Sequence, residues 1–268
     1  PVAIKNKIPV VSGSATADDV TVDAQGVKEY AFRTCFNDSY QGTAMANFAT
    51  KKLSAKRALV YADNSSDYAK GLAANFKKTF TDAGGQIVGE EAYTTGDTDF
   101  NATLTRIKGQ QFDVLYVPGY YQEASLLIKA ARGLGINQPI LGGDGYDSPV
   151  LLQQAGASAL NNVYFTNHYS ALDKDPKVTE FIAAYKKKYN ADPNAFNALG
   201  YDTAKFVADA ANRAATIDGP GIKDAMASTK DFPAVTGTLS IDANHNPVKA
   251  IVVVGLKNGQ QATSEKVG

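Results

Sequence analysis

Short apolar runs alternate with amphipathic stretches through most of the chain. The runs are rich in Val, Ile and Tyr, which is typical of parallel strands buried on both faces. Their alternation with helical patterns over residues 56–167 predicts one complete doubly wound unit of about five strands. Over the whole chain, the predicted strands cover residues 8–11, 58–61, 87–89, 114–117, 140–142, 163–166 and 251–256.

Helical spacing of apolar residues predicts the elements between these strands. In the clearest case Leu72, Phe76 and Phe80 follow one another at intervals of four residues, and Gly84 and Gly85 come soon after. Such a stripe indicates an amphipathic helix, and a glycine just past its end commonly terminates it. The predicted helices of this region cover residues 66–83, 99–108 and 121–134.

The regions on either side of this unit show a different pattern. Residues 1–36 contain one convincing strand, and residues 176–229 have the apolar spacing of three consecutive helices. The apolar faces of these helices need a partner to cover them. Two interpretations remain open: most of the covering sheet is not in this chain, or the helices pack on one another as a small helical domain.

Composition and charge exclude several classes of function. Lys and Arg together number 27, as do Asp and Glu, so the formal net charge is zero. A neutral chain has no overall field to attract nucleic acid or an anionic membrane, and we predict a small-molecule partner instead. Cys35, His168 and His245 are the only cysteine and histidines. They are too few for a zinc site, so we predict no metal and a buried, unreactive Cys35.

Familiar catalytic and cofactor motifs do not occur in the sequence. There is no Gly-x-Ser-x-Gly elbow and no phosphate loop ending in Gly-Lys-Ser/Thr. The glycine-rich stretch 142–147 lacks dinucleotide-binding spacing, and residues 242–246 match only the start of a calcium loop. We therefore predict no cofactor and no enzymatic activity. No apolar run reaches the ~20 residues of a membrane span, and the first residues do not have the pattern of a signal peptide.

Polar and aromatic groups gather after four of the predicted strands, in residues 12–16, 62–68, 118–121 and 143–146. The carboxyl ends of parallel strands share one edge, and open α/β sheets bind ligands there. Hydroxyl and N–H groups suit a carboxylate, a fixed Asp suits an ammonium group, and tyrosine rings cover an apolar side chain. The set therefore favours a zwitterionic ligand, although each residue alone is more readily explained as a turn, cap or core residue.

Several short stretches carry a resemblance to a known family. The chain resembles the leucine/isoleucine/valine-binding family of periplasmic-type solute-binding proteins, which supply ABC importers. No single stretch is diagnostic, but together they occur in the family's order over essentially the whole chain. The matching stretches are residues 8–16, 32–34, 38–42, 68–71, 99–100, 119–123 and 142–146.

The resemblance implies a two-lobed α/β fold of doubly wound parallel sheets, with the ligand held between the lobes. On this mapping residues 1–36 and 168–246 form an incomplete N-terminal lobe, and residues 37–167 and 247–268 form a complete C-terminal lobe. Family members carry a long further segment before the position that matches Pro1. The chain is therefore expected to be truncated at its N-terminus. The uncovered helices would then make it poorly stable alone or favour self-association.

The resemblance also implies the residues of the binding site. Ser14, Ala15 and Thr16 would hold the ligand carboxylate and part of its ammonium group from the first lobe. Tyr68 and Tyr120 would close over the ligand from the second lobe, and Asp144 would pair with the ammonium. Many relatives have Glu at this last position, so the shorter Asp must reach further or act through a slightly different closure.

The implied function is capture of an aliphatic or branched-chain L-amino acid and its delivery to the membrane permease of an ABC importer. The protein would be extracytoplasmic, either free in a periplasm or a lipoprotein on the outer face of the cell membrane. The alternative is an amino-acid-sensing domain of a receptor or regulator with the same fold.

Overall fold

The computed structural model describes residues 2–267, which form two compact units. Unit 1 comprises the residues up to Asn37 together with Asp173–Ala250, and unit 2 comprises Asp38–Leu172 and the residues from Ile251 onward. The units change after residues 37, 172 and 250, whereas the expected lobes change after residues 36, 167 and 246. Each boundary thus lies within five residues of its expected position. The equation of these units with the two lobes stays a prediction. Within residues 2–267, no helix is both long and apolar enough to cross a membrane.

The helices and strands follow one another in mixed α/β order. The helices are α1 (Val2–Asn6), α2 (Asp38–Lys51), α3 (Asp67–Asp82), α4 (Asn101–Ile107), α5 (Tyr121–Gly133), α6 (Pro149–Ala155), α7 (Pro176–Tyr189), α8 (Ala195–Arg213) and α9 (Gly219–Ala227). The strands are β1 (Val10–Ser12), β2 (Val22–Asp23), β3 (Gly26–Val27), β4 (Ala31–Arg33), β5 (Arg57–Asp63), β6 (Gln86–Tyr93), β7 (Val114–Tyr116), β8 (Ile140–Gly142), β9 (Val163–Asn167), β10 (Ser240–Ile241), β11 (Pro247–Val248), β12 (Ile251–Lys257) and β13 (Gln260–Val267).

Unit 2 is built on a seven-stranded sheet in the order β13-β12-β9-β8-β7-β5-β6. Strands β5 to β9 pair in parallel, and β12 and β13 extend the sheet antiparallel. The predicted parallel α/β sheet is therefore confirmed. Strand β13 was missed because its sequence is largely polar and none of its residues is fully buried. The carboxyl ends of β5, β7, β8 and β9 lie at one edge, because these strands are neighbours and parallel.

Helix α2 is, with α6 and β13, one of the elements of unit 2 that the hydrophobic pattern did not predict. Four of its eight buried residues are glycine or alanine, among them Gly42, Ala46 and Ala49. A Cβ on Gly42 would lie 2.8 Å from the carbonyl oxygen of Leu72, so glycine permits a close approach to α3. Small residues differ little in hydrophobicity from the polar residues around them, so the sequence shows no clear apolar stripe of helical period here. The helix matters here because it carries Gln41, described below.

Unit 1 has a smaller sheet and several packed helices. Strands β1 and β4 pair in parallel, and the pairs β2–β3 and β10–β11 are antiparallel. The core of the unit joins Phe32 of β4 to Phe206 of α8 and Met226 of α9. The helices therefore pack on one another and also on two parallel strands, and the interpretation that most of their covering sheet is not in this chain stays a prediction. Apolar side chains that stay exposed in this unit include Ile8, Val10, Tyr189, Tyr201 and Val207.

Gly142 provides a test of the packing beneath the candidate site. A Cβ at this position, at the end of β8, would overlap the buried ring of Tyr146, whose hydroxyl donates to the carbonyl oxygen of Val117 at 2.8 Å. We expect Gly142→Ala to lower the free energy of unfolding by about 1–3 kcal/mol, measured by urea denaturation with circular dichroism. Gly133→Ala is the matched control, because a Cβ there would meet no atom within 4 Å apart from its chain neighbours and the backbone of its own helix. Equal stabilities for the two variants would contradict the packing described.

Candidate functional site

Asp144 is the centre of the candidate site in unit 2. It lies just after β8, where Gly143 leads into the 3₁₀ turn Asp144–Tyr146. Asp144 is only 3% exposed. One carboxylate oxygen, Oδ1, accepts a 2.6 Å hydrogen bond from the Tyr68 hydroxyl. The other, Oδ2, lies 3.1 Å from Nε2 of His168. A buried carboxylate is thus fixed from two sides by groups on different elements.

The environment of Asp144 keeps its carboxylate ionised. Burial raises the pKa of Asp144. His168 lowers this pKa through a hydrogen bond and a charge interaction, and Tyr68 lowers it through a hydrogen bond. The lowering effects outweigh burial, so the pKa lies below its ordinary value. Burial and the neighbouring Asp144 together raise the pKa of Tyr68 well above its usual range. Tyr68 therefore remains a neutral donor, and Asp144 supplies a buried negative charge at neutral pH.

Gln41 of α2 holds the backbone on which Asp144 is placed. Its Oε1 accepts a hydrogen bond from the amide of Asp144 at 2.8 Å and another from the Thr166 hydroxyl at 2.5 Å. The hydroxyl of Tyr68 in turn accepts from the amide of Gly145 at 3.0 Å. Side chains from α2, α3 and β9 therefore fix both the carboxylate and its backbone, as a preformed binding group requires.

The aromatic part of the site is a stacked pair. The rings of Tyr68 and Tyr120 have centroids 4.8 Å apart and planes inclined by 28°. Tyr120 precedes α5 and is 43% exposed, whereas Tyr68 is 8% exposed. A Cβ on Gly145 would lie 3.0 Å from Tyr120 and 3.3 Å from Tyr68, so glycine leaves room for both rings. The pair offers an accessible aromatic wall close to a buried charge.

The predicted turn of unit 1, Ser14 to Thr16, follows β1 directly. The Ser12 hydroxyl accepts hydrogen bonds from the amides of Ser14 at 3.3 Å and Ala15 at 2.9 Å. Ser14 and Ala15 are exposed, and Thr16 is buried. The turn is therefore a compact structure stabilised by its own strand, with the Ser14 side chain accessible. We call it the binding turn below.

The structure thus brings Tyr68, Tyr120 and Asp144 into one cluster and places Ser14, Ala15 and Thr16 together in the other unit. Their roles as ligand contacts stay a prediction. Neither Gln41 nor His168 was predicted from the sequence as a member of the Asp144 cluster. A signal for His168 was available, because it directly follows β9 at the same sheet edge as the other polar groups. No such signal exists for Gln41, which lies in a helix that was not predicted.

Two further expectations concern the remaining chemistry. Cys35 is completely buried, as expected, and its thiol donates to the carbonyl oxygen of Ala15 at 3.3 Å. Among residues 2–267, no group of three His, Cys, Asp or Glu side chains is arranged to hold a metal ion.

Comparisons with known proteins place the chain among binding proteins. A family model described as periplasmic binding protein matches residues 1–261. The chain is 32% identical over 237 residues to the Leu/Ile/Val-binding protein homolog 3 of Brucella melitensis, covering 88% of this chain and 62% of that protein. It is 29% identical over 234 residues to the leucine-, isoleucine-, valine-, threonine- and alanine-binding protein of Pseudomonas aeruginosa, covering 87% of this chain and 61% of that protein. The chain therefore spans somewhat less than two thirds of the length of these relatives.

Solved structures extend the similarity to the fold. The branched-chain amino acid transporter substrate binding protein LivJ of Streptococcus pneumoniae, in complex with isoleucine, is 43% identical with a TM-score of 0.90. The leucine binding protein LivK of Thermotoga maritima is 38% identical with a TM-score of 0.89. Each comparison covers 99% of this chain and 74% of the solved chain.

Proposed function

The chain belongs to the leucine/isoleucine/valine-binding proteins of the periplasmic binding protein family, and from this premise we propose that it captures an aliphatic L-amino acid. Proteins of this family are solute-binding proteins and not enzymes, and they act outside the cytoplasm. We propose further that the protein delivers its ligand to the permease of an ABC importer. It would do so either free in a periplasm or as a lipoprotein on the outer face of the cell membrane.

The buried charge of Asp144 is the observation that carries this proposal. A carboxylate that is 3% exposed suits a ligand with a compact positive charge, because an ammonium group can pair with it where water is largely excluded. The exposed ring of Tyr120 supplies a wall for an apolar side chain. An α-ammonium group next to an aliphatic side chain combines both requirements. The hydroxyl and amide groups of the binding turn suit the α-carboxylate of the same ligand.

Calorimetric titration with free amino acids tests the proposal directly. We expect the chain to bind leucine, isoleucine or valine and to reject aspartate, lysine and benzoate. Benzoate is an informative negative ligand because it has a carboxylate and an apolar ring but no ammonium group for Asp144. Binding of benzoate together with no detectable binding of any aliphatic amino acid would refute the proposed ligand class.

The Tyr68 hydroxyl provides a second test of the same site. Tyr68→Phe keeps the ring that stacks on Tyr120 but removes the donor to Asp144 and the acceptor for the Gly145 amide. We expect the affinity for leucine to fall roughly tenfold, because one hydrogen bond to a charged group is lost. Tyr164→Phe is the matched control, since Tyr164 packs against Phe48 in the core of the same unit. An unchanged affinity in Tyr68→Phe would show that the hydroxyl does not orient Asp144.

A further inference from the structure

Arg33 is the most deeply buried charged residue that the proposed site does not yet use. It ends β4, lies opposite Ser12 of β1 in the parallel register, and has no exposed surface. A guanidinium group without exposure is stable only when its N–H groups have acceptors. The identity and position of its acceptors therefore show which part of the fold depends on it.

The acceptors lie in the binding turn and the residues that follow it. Nη1 of Arg33 donates to the carbonyl oxygens of Ala15 at 3.1 Å and Ala17 at 2.8 Å. Nη2 donates to the carbonyl oxygen of Asp18 and to the hydroxyl of Thr21, both at 3.2 Å. One side chain thus gathers four acceptors from a stretch of seven residues, 15–21. Most of that stretch lies outside helices and strands, apart from the short 3₁₀ helix Asp18–Val20.

This arrangement also sets the direction of the peptide groups. In a planar trans peptide the carbonyl oxygen and the following N–H group point in opposite directions. The Ala15 carbonyl points to Arg33 and also accepts from the thiol of Cys35, so the N–H group of Thr16 points away from both. The positive charge of the guanidinium polarises the same peptide group and makes that N–H a stronger donor.

We propose that Arg33 is the positioning residue of the binding turn, which it holds so that the turn presents its N–H and hydroxyl groups to a carboxylate. This inference rests on the proposed function, because that function assigns the carboxylate to Ser14–Thr16. Arg33 acts from behind the turn and does not contact the ligand. Its loss should weaken recognition of the carboxylate far more than recognition of the ammonium group, for which Asp144 is the main proposed partner.

The first experiment measures amide hydrogen exchange in the binding turn without any ligand. In Arg33→Met, hydrogen exchange followed by mass spectrometry should accelerate roughly tenfold or more in residues 13–21, because the carbonyl groups there lose their shared donor. Exchange in α8 should stay unchanged. Arg213→Met is the matched control, since Arg213 lies in the same unit and binds Asp209 and Thr229 instead. Unchanged exchange in residues 13–21 would overturn the inference.

The second experiment compares leucine with leucinol, which keeps the amine and the side chain but lacks the carboxylate. Arg33→Met should lose roughly tenfold or more in affinity for leucine and little for leucinol, whereas a general loss of stability would weaken both equally. Arg33→Lys keeps the charge but has fewer donors, so it should recover part of the leucine affinity that Arg33→Met loses. If Arg33→Met does not fold, Arg33→Lys replaces it in both experiments. Equal losses for both ligands would overturn the inference. Absence of leucine binding by the unaltered chain would instead contradict the proposed function, and the exchange measurement would still decide the role of Arg33.

Discussion

Replacing Asp144 with alanine should lower the affinity for leucine by about 100-fold or more. Removal of one partner from a buried ion pair costs about 3–5 kcal/mol, and each 1.4 kcal/mol is a factor of ten in the dissociation constant. In this chain the loss has a clear origin, since the ligand ammonium would enter a buried site that had lost its negative charge. The Tyr68 hydroxyl and Nε2 of His168 would also lose the carboxylate that they contact.

Asp144→Asn separates the charge from the shape of the side chain. The amide keeps an oxygen that can accept from Tyr68 but carries no charge, so its affinity should still fall well below that of the unaltered chain. Asp82→Ala is the matched control, because Asp82 is exposed at the end of α3 and pairs with Lys78. Calorimetry at neutral pH measures all three variants. If Asp144→Ala kept full affinity for leucine, Asp144 would not be part of the binding site. The main argument for a cationic group on the ligand would then be lost.

Most of the sheet in unit 2 was predictable because burial on both faces leaves a clear mark in the sequence. Strands β5, β7, β8 and β9 are short and apolar, and each coincides with a predicted run. The amphipathic helix α3 was predicted for a similar reason, and its N-cap, Ser66, was its predicted first residue. These elements are specified by contrast between apolar and polar positions, which a single sequence displays directly.

The missed elements lack that contrast. Helix α2 buries small residues, and β13 is an edge strand whose polar residues face solvent. The positions of Tyr68, Tyr120 and Asp144 near one another followed from strand order at the sheet edge. The contacts of Asp144 with Gln41 and His168 could not follow, because they depend on the packing of α2 and on side-chain directions across elements. Arg33 was noticed only as part of a resembling stretch, since three of the four acceptors named above are backbone carbonyls that any sequence would provide.

The division into two compact units makes a prediction about core substitutions. Phe76 of α3 has no exposed surface, and its ring stacks on Tyr116 at 4.0 Å and on Phe80 at 5.4 Å between centroids. Phe76→Ala should lower the free energy of unfolding of unit 2 by about 3–5 kcal/mol, through lost burial and the cavity that remains. Phe206→Ala is the matched substitution in unit 1, where Phe206 is equally buried and contacts Phe232 edge to face.

Hydrogen exchange resolves the two effects along the chain, since each substitution should accelerate exchange mainly in its own unit. Unit 1 should open at a lower urea concentration than unit 2, because its sheets have two strands each and the sheet of unit 2 has seven. The described apolar residues of unit 1 also include the exposed Val10 and Tyr201. If a second copy of the chain covers the exposed apolar surface of unit 1, dilution should lower the urea concentration at which unit 1 is half unfolded and leave that of unit 2 unchanged. If Phe76→Ala accelerated exchange equally in both units, they would unfold as one cooperative body, and the separate stability of unit 1 would be contradicted.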